Sequence, residues 1–515
     1  MAFPIARRRC TRLRMRIHIV AVSGTGMGPL AGLLRSMGHE VTGSDVAFDP
    51  PIGPRLQEWG VQCQKGFDAQ HLAYGPELVV IGNLCRANNP EARFAIDTGL
   101  PYTHIGGALQ RFVLPGTRPV IIAGTHGKTT TSTLTTGLLE AAGLQPGFLI
   151  GGVPQGLDRS FRAPPPAPAH RNLLQPRSRP PFVIEGDEYD SAFFEKTAKF
   201  LHYAAELVVL TSIEHDHIDI YPTLADYLQP FERLIRELPE TGLVVANAAD
   251  EHVVRIVREQ ARSPVIWYAL QGQETFGVAP HWLVAPAASD ASGSSFDLFL
   301  GGVAAGRWVT PLMGRHNLAN VAAALALTTH GFGVEPMSLR LPLAGLRGAA
   351  RRQELLGTPD GVLVYDDFAH HPTAVRETLL GFRERHPQAR VFAVFEPRSA
   401  TACRNLHQDA YPPALAVADQ VFLAPIAREL PPDQALDLAR VARDVGALGK
   451  TAGVFSGVDE IVRTLSERAQ PGDLIAVLSN GTFGGIHRKL LAALEQRAVA
   501  RGAGSVVPRI HRSDG

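Results

Sequence analysis

The sequence predicts an α/β protein of three domains built on largely parallel sheets. Three observations carry this. Short apolar runs recur at residues 16–22, 78–81, 119–123, 182–184, 207–210, 362–365, 390–395, 420–423 and 473–478, with polar or glycine turns and helical patterns between them. Such alternation marks strand–helix units, whose parallel strands need crossover connections. The chain has 515 residues, enough for about three domains of ordinary size. Finally, two of the apolar runs end in glycine turns that open a helix, the start of a nucleotide-binding unit.

Composition narrows the function. With 45% hydrophobic residues the chain can bury several cores, and its formal net charge of +1 argues against nucleic acid as the main partner. Cys10, Cys63, Cys85 and Cys403 form no close pair in the sequence. They suggest neither a disulfide framework nor a zinc site, and reduced thiols in a cytoplasmic setting are expected. No apolar run reaches the roughly 20 residues that span a bilayer, so no membrane partner is expected. Residues 1–14 are rich in arginine but lack the apolar stretch of a signal peptide. They are expected to be disordered, or to precede a true translation start at Met15.

The first domain is expected over residues 15–116. Its first strand leads into Gly24-Thr25-Gly26-Met27-Gly28 and a helical run to Met37. A second strand at 40–43 ends in Ser44-Asp45. The dinucleotide fingerprint asks for glycine where Pro29 stands, while Asp45 lies about 20 residues after the turn, where a ribose ligand belongs. A nucleotide site is expected, with NAD as one candidate. The strand at 78–81 ends at Gly82-Asn83, and ligands in such sheets collect at the carboxyl ends of strands.

The second domain is expected over residues 117–333. Gly124-Thr125-His126-Gly127-Lys128-Thr129-Thr130 follows an apolar strand and precedes a helical run from Ser132 to Ala142. Backbone N–H groups at a helix start attract anions. Lys128 adds a cation, and the Thr129 or Thr130 hydroxyl can reach Mg²⁺. The expected ligand is the triphosphate of ATP, although strict Walker spacing would need glycine where Ile122 stands. Residues 163–181, crowded with proline and arginine, read as an exposed extended insertion. Alternating strands and helices are expected to continue to about residue 333.

Two acidic clusters follow strands in this domain. Glu185-Gly186-Asp187-Glu188-Tyr189-Asp190 offers hard oxygen ligands for Mg²⁺, with Glu185 first and Glu188 second. Glu214-His215-Asp216-His217-Ile218-Asp219 can hold a second cation or orient a phosphate. Its likeness to a zinc site is superficial, since no further ligand cluster of the right type is evident in the sequence. Gly314-Arg315-His316-Asn317-Leu318-Ala319-Asn320 precedes an alanine-rich helix. His316 and Asn317 can read an adenine or simply cap that helix.

The third domain is expected over residues 334–500, with a tail at 501–515. Arg351-Arg352 precedes a strand, and Asp366-Asp367-Phe368-Ala369-His370-His371-Pro372 is expected after one. Glu396-Pro397-Arg398-Ser399 follows another, and Ser479-Asn480-Gly481-Thr482-Phe483-Gly484-Gly485-Ile486-His487 follows the last. Arginine clamps carboxylate or phosphate through paired hydrogen bonds.

These motifs, in this order, resemble the Mur ligases of bacterial cell-wall synthesis from Met15 to about Leu494. The marks are residues 124–130, 314–317 and 366–372. In that family this loop replaces the strict Walker pattern, which accounts for Ile122. The resemblance implies a UDP-binding Rossmann-like domain, a central P-loop ATPase domain and a Rossmann-like C-terminal domain. Close members add either L-alanine or the recycled tripeptide L-alanyl-γ-D-glutamyl-meso-diaminopimelate to UDP-N-acetylmuramate. The wording at 148–154, 188–194, 396–399 and 483–487 resembles the tripeptide-adding members; alanine-adding members usually have serine where Tyr189 stands. The proline-rich insertion and the first loop, Ser-Gly-Thr-Gly-Met-Gly, depart from the family pattern.

The resemblance also implies the chemistry. ATP phosphorylates the lactyl carboxylate, and the incoming amine attacks the acyl phosphate. Gly124 to Thr130 would hold the phosphates, with Lys128 on the β- and γ-phosphates. Thr129 and Glu185 would hold one Mg²⁺, with Glu188 nearby, and His217 a second. His316, Asn317, Arg352 and Asp367 would fix adenosine and phosphates. Gly24, Thr25, Gly26, Met27, Gly28 and Asp45 would bind the UDP-sugar, and His370 and Arg398 the peptide. A monomer or weak dimer is expected. The readings of another class are an NAD-dependent oxidoreductase and a non-catalytic nucleotide-binding regulator.

Overall fold

The computed structural model describes residues 14–166, 179–290 and 292–502. The N-terminal arginine-rich segment before residue 14, the middle of the proline-rich insertion and the tail beyond 502 lie outside the described residues. The chain divides into two compact units. Among the described residues, one comprises 14–119, 145–151, 159–166 and 179–205, the other 120–144, 152–158, 206–290 and 292–502.

The first unit holds a five-stranded parallel sheet in the order Gln62–Lys65, Glu40–Asp45, Arg16–Val20, Leu78–Ile81, Tyr102–Thr103. This order places a switch point between Arg16–Val20 and Leu78–Ile81, where a crevice opens beyond the strand ends. The first strand stops at Val20, not at residue 22, because Ala21 turns into the left-handed region at φ 62°. Helix Met27–Ser36 then starts without a side-chain cap, and Pro29 sits in its first turn, where a missing N–H costs nothing. Gly28 is sterically required: a Cβ there would lie 2.3 Å from Ile52 Cγ2. The second strand runs on to Asp45. Strand Gly147–Leu149 pairs in parallel with Pro181–Gly186 and antiparallel with Phe161–Arg162.

In the second unit, strands Val265–Leu270, Leu243–Asn247, Leu207–Leu210 and Arg118–Ala123 lie side by side and parallel, the last paired through residues 120–123. Leu207–Leu210 and Arg118–Ala123 are buried throughout, as expected of strands covered on both faces, while the first half of Val265–Leu270 is only partly buried. The alternation of strand and helix does not continue to residue 333. Instead Trp282–Asp290, Gly293–Leu300 and Val303–Thr310 form an antiparallel extension. The reason is local. Gly301 and Gly302, at φ 55° and 82°, make a tight hairpin turn that leaves no room for a crossover helix. Helix Arg315–Phe332 follows; seven consecutive residues from Val321 to Leu327 are fully buried, and the alanines among them let helix Lys128–Ala141 pack against it.

A six-stranded sheet completes this unit in the order Glu354–Gly357, Leu363–Asp367, Leu474–Leu478, Val391–Phe395, Gln420–Leu423, Thr451–Val454. Only the first strand is antiparallel. Side chains alternate across it. Val391, Ala393 and Phe395 pack against helices Pro372–Arg385 and Leu438–Ala447, while Phe392 and Val394 pack against Val458–Arg468 and Ile486–Ala500. Asp366 and Asp367 belong to the strand itself, not to the loop after it.

Candidate active site

The phosphate loop is built by two glycines no other residue could replace. Gly124 sits at φ 127° and Gly127 at φ 82°. An added Cβ would lie 2.2 Å from Thr211 Oγ1 at the first and 2.4 Å from Asn320 Oδ1 at the second. Helix Lys128–Ala141 starts directly at Lys128, four residues earlier than the sequence pattern suggests, because Gly127 in the left-handed region serves as its N-cap. No side chain caps this helix start. Lys128 Nζ donates to the Gly124 carbonyl at 2.6 Å and to that of Thr125 at 3.3 Å.

Thr125 fastens the loop. Its hydroxyl donates to the Glu214 carbonyl at 3.0 Å and lies 2.9 Å from the Tyr227 hydroxyl, and its N–H donates to the Ser212 carbonyl at 2.7 Å. His126 Nε2 lies 2.7 Å from Glu214 Oε2. Thr129 and Thr130 are both buried, and the Arg352 guanidinium comes within 3.5 Å of Thr129 Oγ1.

Asn317 lies on the first turn of helix Arg315–Phe332, and its side chain does not cap that helix. Its amide donates to Met313 O at 2.8 Å and to Gln353 Oε1 at 3.0 Å. Its oxygen accepts from Asn320, which in turn accepts from Thr131 at 3.2 Å. The chain of amides thus couples Gln353 to the phosphate helix. No local motif marks Gln353; Asn320 ends the run from Gly314, in which only His316 and Asn317 are expected at the site. Burial and the neighbouring Arg352 cation push the His316 imidazole down to about 4, so it is neutral.

The Asp367 carboxylate accepts from the backbone N–H of Gln353 and of Ala369, each at 2.7 Å, and burial raises its pKa although Arg352 opposes this. It therefore holds the loop around Arg352. Asp366 pairs with Arg351 Nε at 2.9 Å and with His487 at 3.0 Å. Burial alone would raise its carboxyl, but His487 and Arg351 outweigh that and lower it. Arg351 and Gln353 both sit at positive φ, 60° and 48°. Such strain costs about 1–3 kcal/mol per residue and persists where the surroundings impose it. Both guanidinium groups approach the Phe368 ring, Arg351 at 5.5 Å and Arg352 at 5.0 Å.

His217, at φ 53°, donates its N–H to Asp216 Oδ1 at 2.7 Å. Burial would raise the Asp216 carboxyl, yet His217 and His370 hold it well below the carboxylate range. Burial lowers the His370 imidazole, whose Nδ1 lies 3.1 Å from Phe368 O. Arg398 Nη1 lies 3.7 Å from Glu396 Oε1, and the other Glu396 oxygen accepts from Ser479. Arg351 reaches the same loop by donating to Ser479 O at 2.8 Å. The structure thus brings Arg398, Glu396 and the glycine-rich loop together around Gly481.

In the first unit, Asp45 ties its own turn: Oδ2 accepts from Ser23 N–H at 2.8 Å and Oδ1 from Val46 N–H at 2.7 Å. It shapes the loop from Ser23 to Gly28 at the switch point of the five-stranded sheet. Glu185 Oε2 accepts from Gly151 N–H at 2.7 Å. Asp187 pairs with Lys199 at 2.8 Å and Asp190 with Lys196 at 2.5 Å, so the two aspartates of the acidic loop are neutralised by lysines. Glu188 is buried. Cys63, Cys85 and Cys403 carry no disulfide, and no described helix is long and apolar enough to cross a membrane.

Two parallel-rich α/β units with a glycine phosphate loop and arginine-lined strand ends define a nucleotide-using enzyme fold. The sequence matches the Mur ligase family catalytic domain over residues 16–115, the Mur ligase middle domain over 122–328 and the Mur ligase glutamate ligase domain over 351–481. The chain belongs to the Mur ligase family, with the three-domain architecture of that family. It is 39% identical over 487 residues to the UDP-N-acetylmuramate–L-alanyl-γ-D-glutamyl-meso-2,6-diaminoheptandioate ligase of Escherichia coli (strain K12), covering 94% of this chain and 100% of that one. It is 32% identical to the UDP-N-acetylmuramate–L-alanine ligase of Roseiflexus sp. (strain RS-1), covering 94% and 100%. The crystal structure of a murein peptide ligase from Psychrobacter arcticus 273-4 superposes with a TM-score of 0.69 at 33% identity, covering 93% of this chain and 99% of that chain. Oxidoreductase and non-catalytic readings fall with this membership.

Proposed function

We propose that this chain is an ATP-dependent ligase that joins L-alanyl-γ-D-glutamyl-meso-diaminopimelate to UDP-N-acetylmuramate, returning cell-wall peptide to use in the cytoplasm. The phosphate loop carries this reading: two obligatory glycines, an uncapped helix start and Lys128 at one strand end. Full-length likeness to a ligase of that tripeptide supports the acceptor. The expected boundaries, 15–116, 117–333 and 334–500, give the UDP-sugar, ATP and peptide parts.

The lactyl carboxylate attacks the γ-phosphorus of ATP, ADP leaves, and a mixed anhydride forms. The peptide amine then attacks the carbonyl, the amide forms, and phosphate leaves with the electrons of the C–O bond. Such chemistry is mostly positioning and charge neutralisation. Lys128 exchanges its carbonyl partners for the β- and γ-phosphates. Thr129, Glu185 and Glu188 offer the hard oxygens that suit Mg²⁺, and His217 would complete a second site. When bound, such an ion would supply neutralisation of phosphate charge. His316 and Asn317 flank the adenosine, while Arg352, held by Asp367, steadies the phosphates. Gly24 to Gly28 and Asp45 form the UDP-sugar cradle, and Arg398 and His370 face the peptide.

Purified enzyme with ATP and UDP-N-acetylmuramate, given either the tripeptide or L-alanine, tests the reading. A kcat/KM for the tripeptide well above that for L-alanine is expected. Equal or better use of L-alanine would make the chain an alanine-adding ligase. ATP turnover without need of the nucleotide sugar would defeat both.

A further inference from the structure

Sequence spacing alone offers Glu214-His215-Asp216-His217 no further ligands of the kind zinc prefers. The fold supplies them from elsewhere. His126 comes from the phosphate loop and His371 from the N-cap of helix Pro372–Arg385. We propose that His126, Glu214 and His371 form a site for a divalent transition ion of the zinc class, separate from the hard-oxygen Mg²⁺ set.

The three ligand atoms all lie within 4.8 Å of one another. His126 Nε2 is 2.7 Å and His371 Nδ1 3.4 Å from the same oxygen, Glu214 Oε2. Tetrahedral zinc bonded at about 2.0–2.1 Å sets its ligands about 3.3–3.4 Å apart. The His371–Glu214 spacing already matches, His126 must withdraw from Glu214 by well under 1 Å, and the two imidazole nitrogens, within 4.8 Å of each other, must close to a similar edge. Two imidazoles and one carboxylate are a donor set that zinc accepts with a fourth position open, whereas Mg²⁺ prefers oxygen throughout.

The surroundings orient the set. The Thr373 hydroxyl donates to Glu214 Oε1 at 3.1 Å, leaving Oε2 to face the two imidazoles. Supporting bonds of this kind fix ligating carboxylates at metal sites. Thr373 N–H makes only a long contact, 3.3 Å, with His371 Nδ1, so a metal competes for that lone pair against a weak donor. The His407 ring packs against His371 at 4.6 Å between centroids and limits its rotation. An ion here would tie the phosphate loop to the helix that follows strand Leu363–Asp367, two segments far apart in the chain.

The test uses the full-length protein, Zn²⁺ alone as the probe, and excess Mg²⁺ throughout. Competition against a chromophoric chelator should show one tight Zn²⁺ equivalent. His371→Gln and His126→Gln should each weaken it by about 10–100-fold or more, the loss that even supporting groups cause at metal sites. Co²⁺ should give the strong visible absorption of a four-coordinate ion in the wild type and lose it in both variants. Circular dichroism establishes that each variant is folded; if one is not, the other decides. A wild type that cannot compete with the chelator, or folded variants that bind Zn²⁺ as the wild type does, overturns the site.

Discussion

Lys128 lies folded over the loop it would serve, its ammonium on the carbonyls of Gly124 and Thr125. That position pre-arranges a cation beside the helix start at no cost in side-chain search. Lys128→Ala should therefore leave the fold intact and reduce ligation by about 10²–10³-fold, the usual cost of one charge-stabilising group. Steady-state rates within a few-fold of wild type would remove it from the chemistry. Glu185 makes a different case. Its Oε2 already accepts from Gly151 N–H, a contact a glutamine oxygen can keep. Glu185→Gln should thus retain the loop but need more Mg²⁺, since a neutral amide is the poorer ligand for a hard cation. A Mg²⁺ titration that overlays the wild type would pass the role to Glu188.

At the scale of elements, the last glycine-rich loop is shaped around one arginine. A Cβ on Gly481 would lie 2.2 Å from Arg398 Cδ and Nε, atoms toward the flexible end of the side chain. Gly481→Ala should displace Arg398 without unfolding the domain. The expected result is a raised KM for the peptide, an unchanged KM for ATP and a melting temperature within a few degrees of wild type. Equal changes in both KM values would place the loop over ATP instead. The α/β class and the phosphate loop were legible in the sequence because burial on both faces writes continuous apolar runs, and a left-handed turn demands glycine. The hairpins from Trp282 to Thr310 were not, since their alternation is broken at Pro286 and their turn signal, Gly301-Gly302, reads equally as a loop. Asp45, Thr125 and Asp367, expected at ligand sites, also hold backbone in place with their side-chain oxygens. Which partner a carboxylate or hydroxyl meets is decided by the fold, and Gln353 enters the site only through it.

At the scale of the whole molecule, burial keeps seven of the described histidines neutral. His104, His316, His330, His370, His371, His386 and His407 all sit below their ordinary 6.5, His104 and His316 at about 4 and His371 at about 3. Burial is the first cause at each, and at His316 the neighbouring Arg352 cation adds to it. The sign follows from proton counting. Between the lowered folded values and 6.5 the unfolded chain binds protons that the folded chain refuses, so stability rises with pH through that window and is lost on acidification. Carboxylates act the same way further down: hydrogen bonds to His126 and from Thr373 help outweigh burial and hold Glu214 below its ordinary 4.5, so its contribution is lost only as pH falls below that value. The melting temperature should accordingly begin to fall between pH 6.5 and 5, above the range where carboxylates protonate. His316→Asn should flatten part of that slope, because an amide has no proton to refuse. A melting temperature constant from pH 7.5 to 5 would mean that these imidazoles open to water at little cost, and that their burial does not govern the acid limb.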